Sequence, residues 1–274
     1  MKSFAGVLGW PLEFSLSPAI HNAAFRRLGL DWVYLPFPVT PEDLPAAVEG
    51  LRALGSVGVN VTMPHKETIV ELLDDLSGDA RGVGAVNTVQ NVGGRLIGHN
   101  TDVDGFLAFA RDDAGLQMEH SRCLVIGAGG AARAIVYALD QAGAAEVAVA
   151  ARRDDQARSV LSVAPSAEKT SLPWNDLAGA SDGFDIIVNA TPLGMPGHDP
   201  LPRLLLRQGQ AVVDLIYDPP ETPLVESAKS AGGAGWGGLG MLVHQAAASL
   251  RIWTGQEAPT EAMSVAALHA LSRR

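Results

Sequence analysis

A lysine follows a strand-like segment in NVTMPHKE, which begins at Asn60. Apolar and polar residues alternate over Val57–Met63, so we predict a strand in which Asn60 and Thr62 share one face near the carboxyl end. We predict a helix over Lys66–Leu76, whose dipole would disfavour a cation in the first turn by about 0.3–1 kcal/mol. This pattern is compatible both with an ordinary surface lysine and with a Lys66 retained for acid–base chemistry.

Two serines spaced two residues apart lie at the start of a predicted helix over Pro18–Leu28. Ser17, directly before Pro18, fits a helix N-cap followed by proline in the first helical position. That arrangement accounts for Ser17 and leaves Ser15 without a structural role. Two hydroxyl groups near a helix N-terminus would also suit a ligand that carries a carboxylate.

The segment GHNTDVDGF supplies several polar residues at another predicted helix start, ahead of a helix over Asp102–Ala114. They are Asn100, Thr101, Asp102 and Asp104. One N-cap is enough for a helix, so several of these side chains exceed that need. Asp102 is therefore either a cap or a carboxylate with a chemical role, and the pattern leaves both interpretations open.

A glycine-rich loop in LVIGAGGAARAIVYAL connects a predicted buried strand to a predicted helix through Gly127-x-Gly129-x-x-Ala132. In this context the pattern is typical of a dinucleotide site. Gly127 allows a tight turn, Gly129 lets the backbone approach a pyrophosphate, and Ala132 lets helix and strand pack closely. The pyrophosphate would lie at the helix N-terminus. A glycine turn with only a packing role is the alternative.

The end of the next predicted strand indicates which dinucleotide would bind. NAD-binding proteins commonly place Asp or Glu there to bond the ribose hydroxyls. The strand EVAVAARR ends instead in Arg152 and Arg153, and cations favour a 2′-phosphate. Arg133, in the first turn after the glycine loop, could reach the same phosphate. We therefore predict NADP(H), with solvated surface arginines as the alternative.

Short apolar runs alternate with segments of helical period along the chain, which indicates βαβ units and a mostly parallel sheet. In the first third we predict strands at Phe4–Leu8, Trp32–Val39, Val57–Met63, Ala85–Gln90 and Arg95–Gly98, and helices at Pro18–Leu28, Pro41–Leu54 and Lys66–Leu76. The last two strands flank NVGG and are predicted to form a hairpin.

A second series of predicted strands begins at Cys123, and the pattern turns helical after Gly238. These strands are CLVIGAGG, EVAVAAR, FDIIVNATP and AVVDLIY, each predicted to precede a helix. The predicted fold class is therefore α/β, with two domains and a cleft between them. Ligands are expected beyond the carboxyl ends of the strands.

Composition excludes several classes of function. The 274 residues are 47% hydrophobic and 18% charged, with a formal net charge of −10 and no run of Lys or Arg, so no site for nucleic acid or anionic lipid is expected. Cys123 is the only cysteine, which excludes a disulfide within the chain and a cysteine metal cluster. The seven histidines lack metal-ligand spacing, so no metal is expected, and His65 is predicted to be a solvated turn residue.

The location of the protein is predicted from the same features. No stretch of about 18 uninterrupted apolar residues is present, and the segment FAGVLGWP does not have the form of a signal peptide. With a single cysteine, we expect a cytoplasmic protein that is not bound to a membrane. The final helix, around AALHAL, could pack internally or against a second copy, so a homodimer is left open.

Eight segments occur in a characteristic order between Gly6 and Gly255. They are GWPLEFSLSPAIHNAAF, NVTMPHK, GAVNTV, GHNTDVDGF, GAGGAAR, NATPLGM, DLIYDPPETPL and GLGMLVHQAAASLRIWTG. This ordered set resembles the shikimate dehydrogenase family. The resemblance implies NADPH-dependent, reversible reduction of 3-dehydroshikimate to shikimate in aromatic amino acid biosynthesis. It also implies an N-terminal α/β substrate domain over residues 1–103 plus 240–274, and a Rossmann-like NADP-binding domain over residues 104–239.

The resemblance further implies roles for individual positions. Lys66 and Asp102 would form the catalytic pair, and Ser15 and Ser17 would hold the substrate carboxylate. The ring hydroxyls would be bound by Asn60, Thr62, Asn87, Asp102 and Gln245, with Tyr217 nearby. The cofactor contacts would be Gly127, Ala128, Gly129, Gly130, Ala131, Arg133, Arg152, Arg153, Thr191, Leu215, Gly238 and Met241. Where the family has Asn-Arg-Thr or Asn-Arg-Ser, this chain has Ala-Arg-Arg at 151–153, which leaves its contacts on the adenine side open.

Hydride addition to a ketone leaves negative charge on oxygen, and a lysine ammonium can stabilise that charge and then deliver the proton. This chemistry would explain Lys66. Two alternatives stay open: a quinate/shikimate dehydrogenase with broader substrate and cofactor use, and an NADPH-binding regulator without catalysis. The presence of both Lys66 and Asp102 counts against the regulator.

Overall fold

The computed structural model describes residues 3–12 and 15–273. The chain divides into two compact units. The first comprises Met1–Gly105 and Leu242–Arg274, and the second comprises Phe106–Met241. Each unit has its own sheet.

The first unit is built on a mixed sheet. Its strands are β1 (Ser3–Gly9), β2 (Trp32–Pro38), β3 (Gly58–Val61), β4 (Asp75–Leu76), β5 (Thr88–Val92) and β6 (Arg95–His99). Among the described residues these six lie in the order β2-β1-β3-β5-β6-β4. Strand β1 is parallel to β2 and β3, and β4 is parallel to β6, whereas β5 is antiparallel to both β3 and β6. The predicted hairpin around NVGG is confirmed as β5–β6.

Helices cover the sheet of the first unit. They are α1 (Ser17–Arg27), α2 (Leu44–Leu54), α3 (Gly78–Val83) and the start of α4 (Thr101–Ala108). Leu44, Val48 and Leu51 recur at helical spacing in α2 and are buried in the core of the sheet. Gly55 ends α2 with a φ of 64°, a left-handed conformation that glycine adopts without steric cost.

The predicted helix over Lys66–Leu76 is wrong. Turns occupy residues 63–67, a 3₁₀ helix follows at Thr68–Leu72, and β4 comes next. Lys66 therefore does not lie in the first turn of an α-helix. The carbonyl of Lys66 accepts a hydrogen bond of 2.7 Å from the N–H of Val86, so a neighbouring segment satisfies a backbone group that a helix would have paired internally.

The second unit is built on a parallel sheet. Its strands are β7 (Arg122–Ile126), β8 (Glu146–Ala151), β9 (Glu168–Pro173), β10 (Ile186–Asn189), β11 (Ala211–Asp214) and β12 (Ala234–Gly237). Within the described part of the chain these six lie in the order β12-β11-β10-β7-β8-β9, and all pairs are parallel. Numbered within the unit and read from β9, the order is 3-2-1-4-5-6, that of the Rossmann fold. The predicted fold class is confirmed.

The helices of the second unit are α5 (Gly130–Gln141), α6 (Asp154–Leu161), α7 (Leu177–Ala180) and α8 (Pro223–Ser230). One prediction here is wrong, because no helix follows β10: residues 190–210 form turns and irregular chain. Four prolines and three glycines in this stretch oppose a helix. Strands β9 and β12 were not predicted, since EKTSLP is largely polar and AGWG is rich in glycine.

Two further helices, α9 (Leu239–Thr254) and α10 (Thr260–Leu271), follow the second unit, and they confirm the prediction of helix after Gly238. The unit boundaries fall inside α4 and α9. In α4 the α-helix passes into a π-helical turn at Phe109–Asp113. Among the described helices, none combines the length and the apolar character that crossing a membrane requires.

Candidate active site

The turn that carries Lys66 is anchored by its neighbour. His65 is buried, and its Nε2 lies 2.7 Å from the carbonyl oxygen of Val39. The prediction of a solvated His65 is therefore wrong. The N–H of His65 donates to the carbonyl of Thr62 at 3.0 Å, which closes the turn. These bonds hold the backbone from which the Lys66 side chain extends.

Lys66 forms an ion pair with Asp102 inside the first unit. Its Nζ lies 2.6 Å from Asp102 Oδ2, and the two side chains are 18% and 8% exposed. Asp102 is in the first turn of α4, where the positive end of the helix dipole favours a carboxylate. Two charges so far removed from water need each other as partners. The structure thus brings together the two residues predicted as the catalytic pair.

The second oxygen of the Asp102 carboxylate is bound by Asn87. Asn87 Nδ2 donates to Asp102 Oδ1 at 2.8 Å and lies 3.4 Å from Gln245 Oε1. Gln245 in turn donates from Nε2 to the carbonyl of Leu242 at 3.0 Å, within α9. Three residues predicted around the substrate ring, from three separate segments, are thereby placed in contact.

Asn60 lies deeper than its neighbours in the same network. Its Nδ2 donates to Thr88 Oγ1 at 3.0 Å, to Ser249 Oγ at 2.9 Å and to the Asn87 carbonyl at 3.2 Å. Its Oδ1 accepts from the Tyr34 hydroxyl at 2.7 Å. The carboxamide is therefore engaged within the protein on every side.

Thr62 lies outside the strand that was predicted to orient it. Strand β3 ends at Val61. The alternation of side chains along a strand therefore applies to Asn60, which lies in β3, and does not apply to Thr62. The N–H of Thr62 donates to the carbonyl of Leu8 at 2.8 Å, which ties the turn to β1.

The prediction of Ser17 as the N-cap of α1 is wrong, because the N-cap position is occupied by Leu16. The helix begins at Ser17 itself, and the Ser15 hydroxyl accepts a 3.2 Å hydrogen bond from the Ser17 N–H. Ser17 is buried. Burial raises the pKa of Tyr34 well above its usual value, and a hydrogen bond with the Ser17 side chain opposes this rise. Residues 13 and 14, which precede this pair, lie outside the described part of the chain.

The loop between β7 and α5 has the form that a dinucleotide requires. Gly127 has a φ of +115°, and a Cβ there would lie 2.9 Å from Thr191 Cγ2 and 3.1 Å from the Ala190 carbonyl oxygen. A Cβ on Gly129 would have no described atom within 4 Å beyond the adjoining residues of the chain. Residues 130–133 at the start of α5 are Gly-Ala-Ala-Arg, so no acidic side chain competes with a phosphate there. Ala128 lies in this loop, and Gly130 and Ala131 are the first two residues of α5.

Cationic side chains lie at the neighbouring strand end. Arg152 and Arg153 follow β8 directly, and both are exposed. Arg153 Nε is 4.0 Å from Asp155 Oδ1, which is a loose contact. Arg133 NH1 is 3.3 Å from both the carbonyl oxygen and the hydroxyl of Ser159. These groups suit a phosphate ester at the end of β8.

The other predicted cofactor residues lie at the same edge of the sheet. Thr191 follows β10, and its hydroxyl donates to Asn189 Oδ1 at 2.7 Å. Leu215 follows β11 directly, and a Cβ on Gly238, just after β12, would lie 2.1 Å from the Leu215 carbonyl oxygen. Met241 is buried in the first turn of α9. Tyr217, predicted near the substrate, also belongs to the second unit.

Two residues of the network, Thr88 and Ser249, were not singled out in the sequence, and they bond each other and Thr101 beside Asn87. Thr101 was noted only as one of several surplus polar residues at a helix start, and His65, expected to be solvated, anchors the lysine turn. One signal was available for Ser249, because it follows Gln245 by four residues and so shares its face of α9. Among the described residues, no group of three or more His, Cys, Asp or Glu is arranged to hold a metal ion.

Three family models match successive parts of the chain. Residues 7–89 match the shikimate dehydrogenase substrate binding domain, residues 108–196 match shikimate / quinate 5-dehydrogenase, and residues 238–267 match the shikimate 5′-dehydrogenase C-terminal domain. The matched ranges include Lys66, Asn87, the glycine loop and Gln245, and Asp102 lies between the first two of them.

Individual relatives agree with these models. The NADP(+) shikimate dehydrogenase of Methanopyrus kandleri is 43% identical over 97% of this chain and 95% of its own. The shikimate 5-dehydrogenase of Thermus thermophilus, solved with NADP(H) and shikimate, has a TM-score of 0.88 at 37% identity over 98% of this chain and 100% of its own. The quinate dehydrogenase of Corynebacterium glutamicum, solved with NAD, has a TM-score of 0.91 at 31% identity over 98% and 100%. The resemblance seen in the sequence is confirmed, and this chain belongs to the shikimate dehydrogenase family.

Proposed function

We propose that this chain is an NADP-dependent shikimate dehydrogenase, which reversibly reduces 3-dehydroshikimate to shikimate on the route to chorismate and the aromatic amino acids. The observation that carries the proposal is the partly buried pair of Lys66 and Asp102, 2.6 Å apart, with Asn87 bound to the same carboxylate. Curated relatives of this length and similarity are NADP(+) shikimate dehydrogenases.

The two regions of the chain would divide the work. Residues 1–103 with 240–274 would bind the substrate and supply catalysis, and residues 104–239 would bind NADP(H). Family models named for substrate binding and for the dehydrogenase match within these regions, which supports the division.

Lys66 acts at the carbonyl oxygen of the substrate. Bound NADPH supplies the hydride. As the ketone oxygen gains negative charge, the Lys66 ammonium stabilises that charge and then transfers its proton to the oxygen. Asp102 compensates the charge of the ammonium and limits its orientations, so the donor is aimed before the substrate arrives. In the oxidation of shikimate the neutral amine takes the proton back.

The remaining side chains of the first unit bind the substrate in this proposal. Ser15 and Ser17 hold its carboxylate, since they lie beside the N-terminus of α1. Asn87, Gln245 and Thr62 bond the ring hydroxyls, and a substrate contact of Tyr217 stays a prediction. Asn60 would reach the substrate only by giving up bonds within the protein, so its main contribution is support of Asn87 and Thr88.

The cofactor residues hold NADP(H) at the carboxyl edge of the second sheet. Backbone N–H groups at the start of α5 bind the pyrophosphate, with Gly129 leaving room for it. Arg152 and Arg153 pair with the 2′-phosphate, and Arg133 is close enough in sequence to the loop to assist. Both arginines at the end of β8 are exposed, which leaves their charges available to a ligand.

Two alternatives to this function were left open by the sequence. Similarity to a quinate dehydrogenase solved with NAD favours broader use of substrate and cofactor as the second candidate. A regulator that binds NADPH without catalysis would not need the Lys66–Asp102 pair. A cytoplasmic location and a homodimer stay predictions, which fractionation and light scattering can test.

One experiment separates these candidates. Purified protein is given shikimate or quinate, with NADP or NAD in turn, and reduction of the nicotinamide is followed by its absorbance. We expect turnover with shikimate and NADP to exceed that of the other three combinations. Comparable rates with quinate or NAD would favour the broader enzyme. No turnover with any pair, in protein that binds NADPH, would refute catalysis.

A further inference from the structure

Three buried hydroxyl groups meet behind the candidate active site. Thr88 begins β5, Thr101 begins α4, and Ser249 lies in α9. The hydroxyl oxygen of Thr88 is 3.0 Å from that of Thr101 and 2.8 Å from that of Ser249, and the last two are 3.0 Å apart. All three residues are at most 1% exposed. We call them the hydroxyl cluster.

The hydroxyl cluster bonds the side chain of Asn87. Asn87 Oδ1 lies 3.1 Å from the hydroxyls of both Thr88 and Thr101, and it accepts from the Thr101 N–H at 2.7 Å. A backbone N–H can only donate, so the oxygen of the carboxamide must face this way. The amide NH₂ therefore points at the Asp102 carboxylate, which can only accept.

The protons of the hydroxyl cluster have defined destinations. The carboxamide of Asn60 donates to Thr88 and Ser249, and its own oxygen is occupied by Tyr34. Ser249 can donate to Thr88 Oγ1 at 2.8 Å or to the carbonyl of Gln245 at 3.0 Å. Each hydroxyl carries a single proton, so with donors arriving from Asn60 the protons of Thr88 and Thr101 are free to bond Asn87. Thr88 Oγ1 lies within hydrogen-bond distance of the side chains of Asn60, Asn87, Thr101 and Ser249.

We propose that Thr88 is a positioning residue for the reaction, acting through Asn87 on Asp102 and so on Lys66. Its hydroxyl, held by Ser249 and Asn60, restricts rotation of the Asn87 carboxamide. Asn87 then keeps one Asp102 oxygen occupied, which leaves the other aimed at Lys66 Nζ. The inference rests on the proposed function, because it concerns the same lysine.

Two variants of Thr88 test this role. Thr88→Val keeps the shape of the side chain and removes the hydroxyl, whereas Thr88→Ser keeps the hydroxyl and removes a methyl group. Loss of one positioning hydrogen bond commonly raises the activation free energy by about 1 kcal/mol or slightly more, which corresponds to a rate about ten times lower. We therefore expect kcat/KM for shikimate to fall about tenfold in Thr88→Val. Thr88→Ser should retain at least about half of the wild-type value, since the bond to Asn87 is preserved.

A double-mutant cycle distinguishes positioning from loss of folded protein. If Thr88 acts through Asn87, Thr88→Val should change kcat/KM by less than about twofold when Asn87 is already alanine. A loss of folded enzyme would lower both backgrounds by the same factor. Ser56→Ala is the matched control: its buried hydroxyl bonds the Leu51 carbonyl at 3.3 Å, in the same unit and apart from the hydroxyl cluster. That variant should keep wild-type kinetics.

Two results would overturn the proposed role of Thr88. One is wild-type kinetics in Thr88→Val, and the other is a loss of kcat/KM in the Asn87→Ala background equal to the loss in the wild-type background. Should Thr88→Val fail to fold, Ser249→Ala replaces it in the same cycle, with a smaller loss expected that also vanishes in Asn87→Ala. The proposed function fails separately, if the wild-type protein itself does not oxidise shikimate.

Discussion

Acid should destabilise this protein through a histidine far from any solvent. His21 of α1 is fully buried and stacks on Tyr34, with ring centroids 4.4 Å apart and an angle of 6° between the planes. No described atom forms a hydrogen bond with either ring nitrogen. Burial lowers the pKa of His21 from 6.5 to about 3. The imidazole is therefore neutral in the folded protein.

The direction of the pH effect follows from that pKa. Between pH 6.5 and 3 the unfolded chain binds a proton at this position and the folded protein does not, so the free energy of unfolding falls as the pH falls. Each pH unit in this window removes about 1.4 kcal/mol. Lowering the pH from 7 to 5 should thus destabilise the protein by about 2 kcal/mol through His21 alone.

Urea unfolding at pH 7, 6 and 5 measures this effect. In His21→Leu the stability should depend on pH less steeply than in the wild type, by about 2 kcal/mol between pH 7 and 5. His21→Leu loses the stacking contact with Tyr34 at every pH, which lowers the free energy of unfolding by a constant amount. Protonation of His21 is therefore measured by the difference between wild type and variant in how steeply that free energy depends on pH. His269→Leu, the same substitution at an exposed site on α10, is the control. Parallel pH curves for wild type and His21→Leu would refute a neutral, buried His21.

Three further predictions concern the proposed reaction. Lys66→Met should lower kcat by about 10²–10⁴, the usual contribution of acid–base catalysis, with far less change in KM; steady-state turnover near the wild-type value would remove the proton donor from the mechanism. Asp102→Asn should impair both kcat and KM in the same assay, because Asp102 contacts Lys66 and would contact the substrate; an effect on KM alone would contradict this. Arg152→Ala should weaken NADPH binding by about 1.5–3 kcal/mol and leave NADH nearly unchanged, as measured by fluorescence titration; equal losses would reject the 2′-phosphate assignment.

Local patterns were sufficient for much of the second unit. The sequence LVIGAGG predicts a strand, a tight turn and a helix start within a few residues of one another, and each of these depends on neighbouring residues only. Gly127 has the positive φ that its place in the loop requires. The polar β9 and the glycine-rich β12 were missed, because pairing with neighbouring strands, rather than their own side chains, makes them strands.

The region around Lys66 shows where such patterns fail. Residues 66–76 have the composition of a helix, yet the backbone of Lys66 bonds to Val86, twenty residues further along. His65 can be buried because its Nε2 lies 2.7 Å from the carbonyl oxygen of Val39. The residues next to His65 in the sequence do not predict this contact. Contacts between distant segments outweighed a helical propensity that amounts to a few tenths of a kcal/mol per residue.

The sequence by itself determined the α/β class, the dinucleotide loop, the cationic end of β8 and the family, because these depend on residue types at short, regular spacings. Only the tertiary structure decided that Lys66 meets Asp102, that Asn87 and Gln245 converge beside them, and that Thr88, Thr101 and Ser249 support Asn87. Asn87 and Gln245 are 158 positions apart along the chain, and Thr88 and Ser249 are 161 positions apart. Hydrogen bonds require donor and acceptor to be about 3 Å apart. The packing of strands and helices determines which side chains come that close, and this packing cannot be read from their separation along the chain.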